Sequence, residues 1–146
     1  MNSIKFFLVL FFLNVTLFAA HVDDFAKEMG YERDYKTALA KSKASQKTLV
    51  MVLGADYCPW CRKFENKTLK SSLVKTKTDK DFVVLLVDKK FDIESFPTKF
   101  KTSFTPRVFF INPKDESILL ESAGYVKKQE FSDALDKAKN LYEVAK

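Results

Sequence analysis

Two stretches of this chain are short and continuously apolar: TLVMVLG at residues 48–54 and FVVLLVD at residues 82–88. Val-rich runs of that length, without polar alternation, predict central strands covered on both faces of a sheet. Before the first run a helical pattern places Tyr35, Ala38 and Leu39 on one face, with Asp34 as its cap. A second helical piece is predicted around Ser72–Lys77, between the two runs. Strand, helix and strand in that order predict parallel pairing through a right-handed crossover. Further on, RVFFI (107–111) and SILLE (117–121) flank NPKDE, whose Asn, Pro and Asp mark the turn of an antiparallel hairpin. The chain closes on a helical face of Phe131, Ala134, Leu135, Ala138, Leu141 and Tyr142, expected to lie across the sheet. The predicted class is α/β: a mixed central sheet of about four strands with helices on both faces.

The N-terminus follows another pattern. MNSIKFFLVLFFLNVTLFAA has a basic Lys5, an apolar run from Phe6 to Leu13 and small residues at Ala19 and Ala20. This is the layout of a cleavable secretory signal. The alternative is a retained anchor, but Asn14 and Thr16 break the run well short of the roughly 20 apolar residues a spanning helix needs. The expected organisation is a signal peptide over 1–20 and a single domain over 21–146. With 146 residues the chain has material for one core and not two. Fifteen Phe against three Gly and four Pro describe an ordered globular protein.

The net charge of +6 falls by one when Lys5 is removed with the leader. The lysine-rich runs KTALAKSKASQK and KSSLVKTKTDK mix charge with Ser and Thr, as a solvated surface does. No groove-reading motif accompanies them, so nucleic acid is not an expected partner. The tail LYEVAK is no KDEL-type retrieval signal. Asn66-Lys67-Thr68 matches a glycosylation acceptor, but a helix beside the cysteines is a poor place for a glycan. A periplasmic or secreted protein of a bacterial envelope is the expectation.

Export gives meaning to GADYCPWCRKFE, residues 54–65, which holds both cysteines of the chain. Outside the cytosol, disulfides form and persist. Cys58 follows the first buried strand after a short loop and stands where a helix should begin. Unpaired N–H groups and the positive end of the helix dipole favour thiolate there, and the thiolate is the attacking species. Cys61, one turn later, is placed to resolve a mixed disulfide, and Pro59 suits the first helical turn. A structural staple closing so short a loop removes little unfolded-chain entropy. A zinc site needs about four ligands, whereas the chain has two Cys and one His, His21, which reads as a terminal surface residue. Arg62 stands where haem attachment needs His. Dithiol–disulfide exchange is therefore the reading carried forward beside metal, staple and idle pair; no metal or other cofactor is expected.

Apolar strand, CPWC, helix, apolar strand, then Thr105-Pro106 before a hairpin and a closing helix resembles the thioredoxin fold over roughly residues 35–145. The resemblance implies that Cys58 is the exposed nucleophile and Cys61 the resolving thiol, paired as a redox-active disulfide. It implies a cis Thr105–Pro106 bond in the substrate groove, with Thr105 pairing to a bound peptide. Trp60 replaces the smaller residue usual between the cysteines and is expected in that groove, touching substrate or shielding the sulfurs. ADYCPWCRKFENKTL is most similar to secreted thioredoxin-related proteins and to the C-terminal domain of the transmembrane electron transporter DsbD. Glu65 matches an acidic residue near the active site of that domain.

One departure is plain. Thioredoxin has a buried Asp six residues before its first cysteine, and here that position is Val52. Glu65 or Asp56 is the candidate substitute for proton transfer; the plain alternative for Glu65 is a solvated helix residue. The resemblance implies an exported thiol–disulfide oxidoreductase, a reductase or electron relay acting as a monomer on protein thiols and disulfides and recharged by a membrane donor of the DsbD kind. The spacing from Cys61 to Pro106 leaves no room for the helical insertion of the oxidase DsbA, and the chain lacks the dimerisation domain of DsbC-type isomerases. Oxidase or isomerase activity, and a chaperone-like binding module with passive cysteines, stand as the alternatives.

Overall fold

In a computed structural model the described residues, 20–146, form a four-stranded sheet and five α-helices. The expected signal peptide falls outside the described residues, apart from Ala20. The first helix, α1 (Ala20–Met29), has no counterpart in the sequence expectations. It buries Val22, Phe25, Ala26 and Met29, one helical stripe, and ends at Gly30, whose φ of 71° suits the left-handed turn after a helix. Helix α2 (Tyr35–Ser45) begins as predicted at Asp34, whose carboxylate accepts the N–H of Thr37 at 2.7 Å.

Strand β1 (Thr48–Gly54) and strand β2 (Phe82–Asp88) occupy the two apolar runs residue for residue and pair in parallel. Both are buried along their whole length. Between them come helix α3 (Pro59–Phe64), a π-helical turn (Glu65–Leu69) and helix α4 (Ser72–Asp81), one turn longer than predicted. Strand β3 (Arg107–Ile111) pairs antiparallel with β1 and with β4 (Ile118–Ala123), giving the order β2-β1-β3-β4. β4 starts one residue later and ends two later than SILLE. Ser117 is held in the turn by the Asp115 carboxylate, and the β3–β4 register shifts at Phe110/Ile111. Helix α5 (Lys128–Ala145) closes the chain.

Alternation along the strands divides the core in two. Val50, Val52, Val84, Leu86, Val108 and Phe110 face α1, the α3–α4 segment and α5. Leu49, Met51, Leu53, Leu85, Phe109 and Ile111 face α2 and the loop residues Phe96 and Phe100. Helices therefore cover both faces, which is why the central strands carry no polar alternation. The C-terminal ends of β1 and β2 and the start of β3 lie at one end of the sheet, where the cysteines are.

Candidate active site

Strand β1 delivers the chain, still buried at Gly54 and Ala55, to a short loop that ends at Cys58. Cys58 is the N-cap of α3: its backbone is extended and its sulfur accepts the N–H of Cys61 at 3.1 Å. Pro59 fills the first helical position, where no intrahelical N–H partner exists. Cys58 and Cys61 are joined in a disulfide, with Cα atoms 5.2 Å apart. Cys58 is 8% exposed and Cys61 2%, so Cys58 is the sulfur nearer solvent. The Thr105–Pro106 bond is cis, and the Thr105 carbonyl oxygen lies 3.6 Å from Cys58 Sγ.

The loop is anchored from β2. The buried Asp88 accepts the N–H of Asp56 at 3.1 Å, of Lys90 at 2.7 Å and of Phe91 at 2.9 Å. Asp92 in turn accepts from the Asp88 N–H and from Arg33, which also donates to Asp23 of α1. Asp88→Ala strands three backbone donors at once. We expect it to cost about 2 kcal/mol, as for a charged hydrogen-bond acceptor removed from a buried site, read as a lower urea midpoint at constant slope.

Behind the disulfide lies a second charged group. The Arg62 guanidinium donates to the Ala55 carbonyl at 3.1 Å and forms an ion pair with Glu65 at 3.0 Å. Ala55 packs against both cysteines. Glu65 is 2% exposed, so it is no solvated helix residue. It opens the π turn, along which Glu65, Thr68 and Leu69 are all buried. Burial pushes the Glu65 carboxyl up to about 7, against the opposing pull of Arg62 and Lys70. Its other partner is His21 of α1, with Nε2 3.0 Å from Oε2. Burial and then the nearby Asp88 also raise Asp56, a partly exposed residue. Val52 is 2% exposed within the apolar core, so hydrocarbon fills the place where thioredoxin has its acid.

Aromatic side chains surround the motif. Trp60 is 56% exposed and Tyr57 69%. The Trp60 and Tyr125 rings stand 6.0 Å apart, and Lys63 Nζ lies within 5 Å of both centroids, at 4.8 and 4.6 Å. Phe104, just before Thr105, is also exposed and carries Arg107 on its face. The structure thus gathers Cys58, Cys61, Thr105, Pro106 and Trp60 at one end of the sheet, with Glu65 buried behind. Sequence reasoning did not single out Asp88, Arg62 as a bridge, Tyr125, or His21 as a partner of Glu65. The only signal for His21 was its being the single histidine.

The thioredoxin-like domain family model matches residues 35–139. Among solved structures, a thioredoxin from Thermus thermophilus is 21% identical, with a TM-score of 0.64 over 73% of this chain and 85% of that one. The oxidised C-terminal domain of DsbD from Neisseria meningitidis is 20% identical, with a TM-score of 0.58 over 74% of this chain and 98% of that one. A DsbH oxidoreductase is 20% identical, with a TM-score of 0.59 over 77% of this chain and 84% of that one. No curated protein sequence matches the chain. Because the family model spans most of the molecule, including the CXXC disulfide and the Thr-Pro loop that faces it, the chain belongs to the thioredoxin-like domain family and its chemistry is thiol–disulfide oxidoreduction.

Proposed function

We propose that this protein is an exported reductase or electron relay that acts on protein disulfides through Cys58. The observation that carries the reading is the asymmetry of the pair: Cys58 is the more accessible sulfur, sits at a helix N-terminus and faces the Thr105 carbonyl. In the reduced protein the Cys58 thiolate attacks one sulfur of a substrate disulfide, and the second substrate sulfur leaves as a thiolate. Cys61 then loses its proton, bonds to Cys58 Sγ and displaces the first substrate sulfur. Two electrons have passed to the substrate, and the Cys58–Cys61 disulfide is restored. Thr105 offers backbone pairing to the bound peptide, and Trp60 flanks the groove. Glu65, on the same helical face as Cys61, is the proton acceptor.

The reductive direction is supported by the plain connection from Cys61 to Pro106, which holds the rest of α3, the π turn, α4, β2 and one 3₁₀ turn at Thr98–Phe100, with no helical insertion. No helix among the described residues is long and apolar enough to cross a membrane. The protein works as a monomer in the periplasm or outside the cell, recharged by a membrane electron donor of the DsbD kind. The test is the equilibrium of the Cys58–Cys61 pair with glutathione, followed by the fluorescence of Trp60, the single tryptophan. We expect a potential near thioredoxin's, about −270 mV. A value near that of DsbA, about −120 mV, overturns the reductase reading and makes the protein a disulfide donor.

A further inference from the structure

Two carboxylates are buried among the described residues, Asp88 and Glu65. Asp88 is committed to three backbone N–H groups. Glu65 has none: its partners are two side chains, Arg62 on its own helix and His21 on α1. The contact with Arg62 is an ion pair whose geometry is not that of a hydrogen bond, whereas His21 Nε2 lies at hydrogen-bond distance from Oε2. His21 is also held in place, its ring stacked against Phe25 one helical turn on, with centroids 6.5 Å apart. The other charged groups facing Glu65 are Lys70, itself paired with Glu28 of α1, and Asp56 in the cysteine loop.

We infer that His21 is a positioning residue for the resolving step: its imidazole orients the Glu65 carboxylate and shares its proton, so that helix α1 sets the pH at which Cys61 can pass its proton on. This rests on the reading of Glu65 as the proton acceptor. In that step the Cys61 S–H bond breaks and its proton goes to a Glu65 carboxylate oxygen. The Cys61 sulfur bonds to Cys58 Sγ as the Cys58–substrate S–S bond breaks, and the departing substrate thiolate takes up a proton from water. The acceptor is available only when Glu65 is ionised, and a protonated imidazole at 3.0 Å favours that form. His21 is half-exposed, so solvent screens the effect.

The experiment loads Cys58 with glutathione as a mixed disulfide and follows its resolution by Cys61, through Trp60 fluorescence, from pH 5.5 to 9. Wild type is compared with His21→Gln, His21→Lys and Glu65→Gln. His21→Gln removes the cation and should move the midpoint of the profile up by about half a pH unit, roughly threefold in rate on its rising limb. His21→Lys keeps a cation and should move it the other way or leave it in place. A purely structural role would displace both variants in the same direction, which overturns the inference. Ring resonances of the single histidine give an independent readout, and its proton affinity should fall about threefold in Glu65→Gln. An unmoved His21→Gln midpoint beside a Glu65→Gln profile that has lost its limb removes His21 and leaves Glu65 standing. A Glu65→Gln profile identical to wild type removes the Glu65 reading, and the inference with it.

Discussion

Cys58→Ser should reduce insulin disulfides no faster than the uncatalysed background, while Cys61→Ser should accumulate a covalent adduct on Cys58. The difference follows from placement. Cys58 is the N-cap sulfur at the solvent edge, whereas Cys61 is inside the first turn and almost wholly buried. A serine hydroxyl at position 58 has no accessible alkoxide near neutral pH, so the nucleophile is lost. The fold should survive, because serine is itself a favoured N-cap and its oxygen can accept the same Cys61 N–H. Activity and folding are therefore separable by circular dichroism on the same sample. In Cys61→Ser the attack still occurs, but no thiol remains to displace the substrate, and mass spectrometry should find one substrate chain per molecule. Turnover persisting in Cys58→Ser, or adducts forming there on Cys61, would reverse the assignment of the two sulfurs. Unchanged partner binding with no turnover even in wild type would favour the chaperone-like module.

The elements legible in the sequence are those whose signal is local. TLVMVLG and FVVLLVD read as fully buried strands because helices cover both faces, and that leaves no polar alternation to blur the run. Asp34 marked α2 because a cap needs only the three residues after it. CPWC and Thr-Pro were legible as a motif, and the structure sets them face to face with a cis bond between Thr105 and Pro106. What escaped depends on contacts between distant positions. Helix α1 is a single short stripe, and it acquires meaning only when Phe25 and Met29 meet the sheet. Glu65 stands one turn after Cys61 on the same face, but a charged residue there reads as solvated until α1 docks over it. Asp88 closes a strand, and nothing near it in sequence tells that its carboxylate will fasten the cysteine loop. Local pattern gave the scaffold and the nucleophile, and the second layer of the site came from packing.

Glu65→Gln should change how stability depends on pH, by about 3 kcal/mol across the neutral range. The Glu65 carboxyl is raised from 4.5 to about 7 in the folded protein, with burial as the leading cause. Below about pH 4.5 the carboxyl is protonated in both folded and unfolded chains, and no penalty arises. Between 4.5 and 7 the unfolded chain releases the proton while the folded one keeps it, so stability falls as pH rises. Above 7 the full cost of holding a buried carboxylate is present, at about 1.4 kcal/mol per pH unit of separation. Glutamine imitates the protonated acid and cannot ionise. Whatever constant offset the substitution introduces at Arg62, the gap between variant and wild type should widen in the variant's favour from pH 4.5 to 8. Urea unfolding at both pH values reads this directly. A gap that stays constant would mean that the Glu65 carboxyl ionises in the folded protein as it does in the unfolded chain, and would take away the ground for treating it as a proton acceptor poised near neutrality.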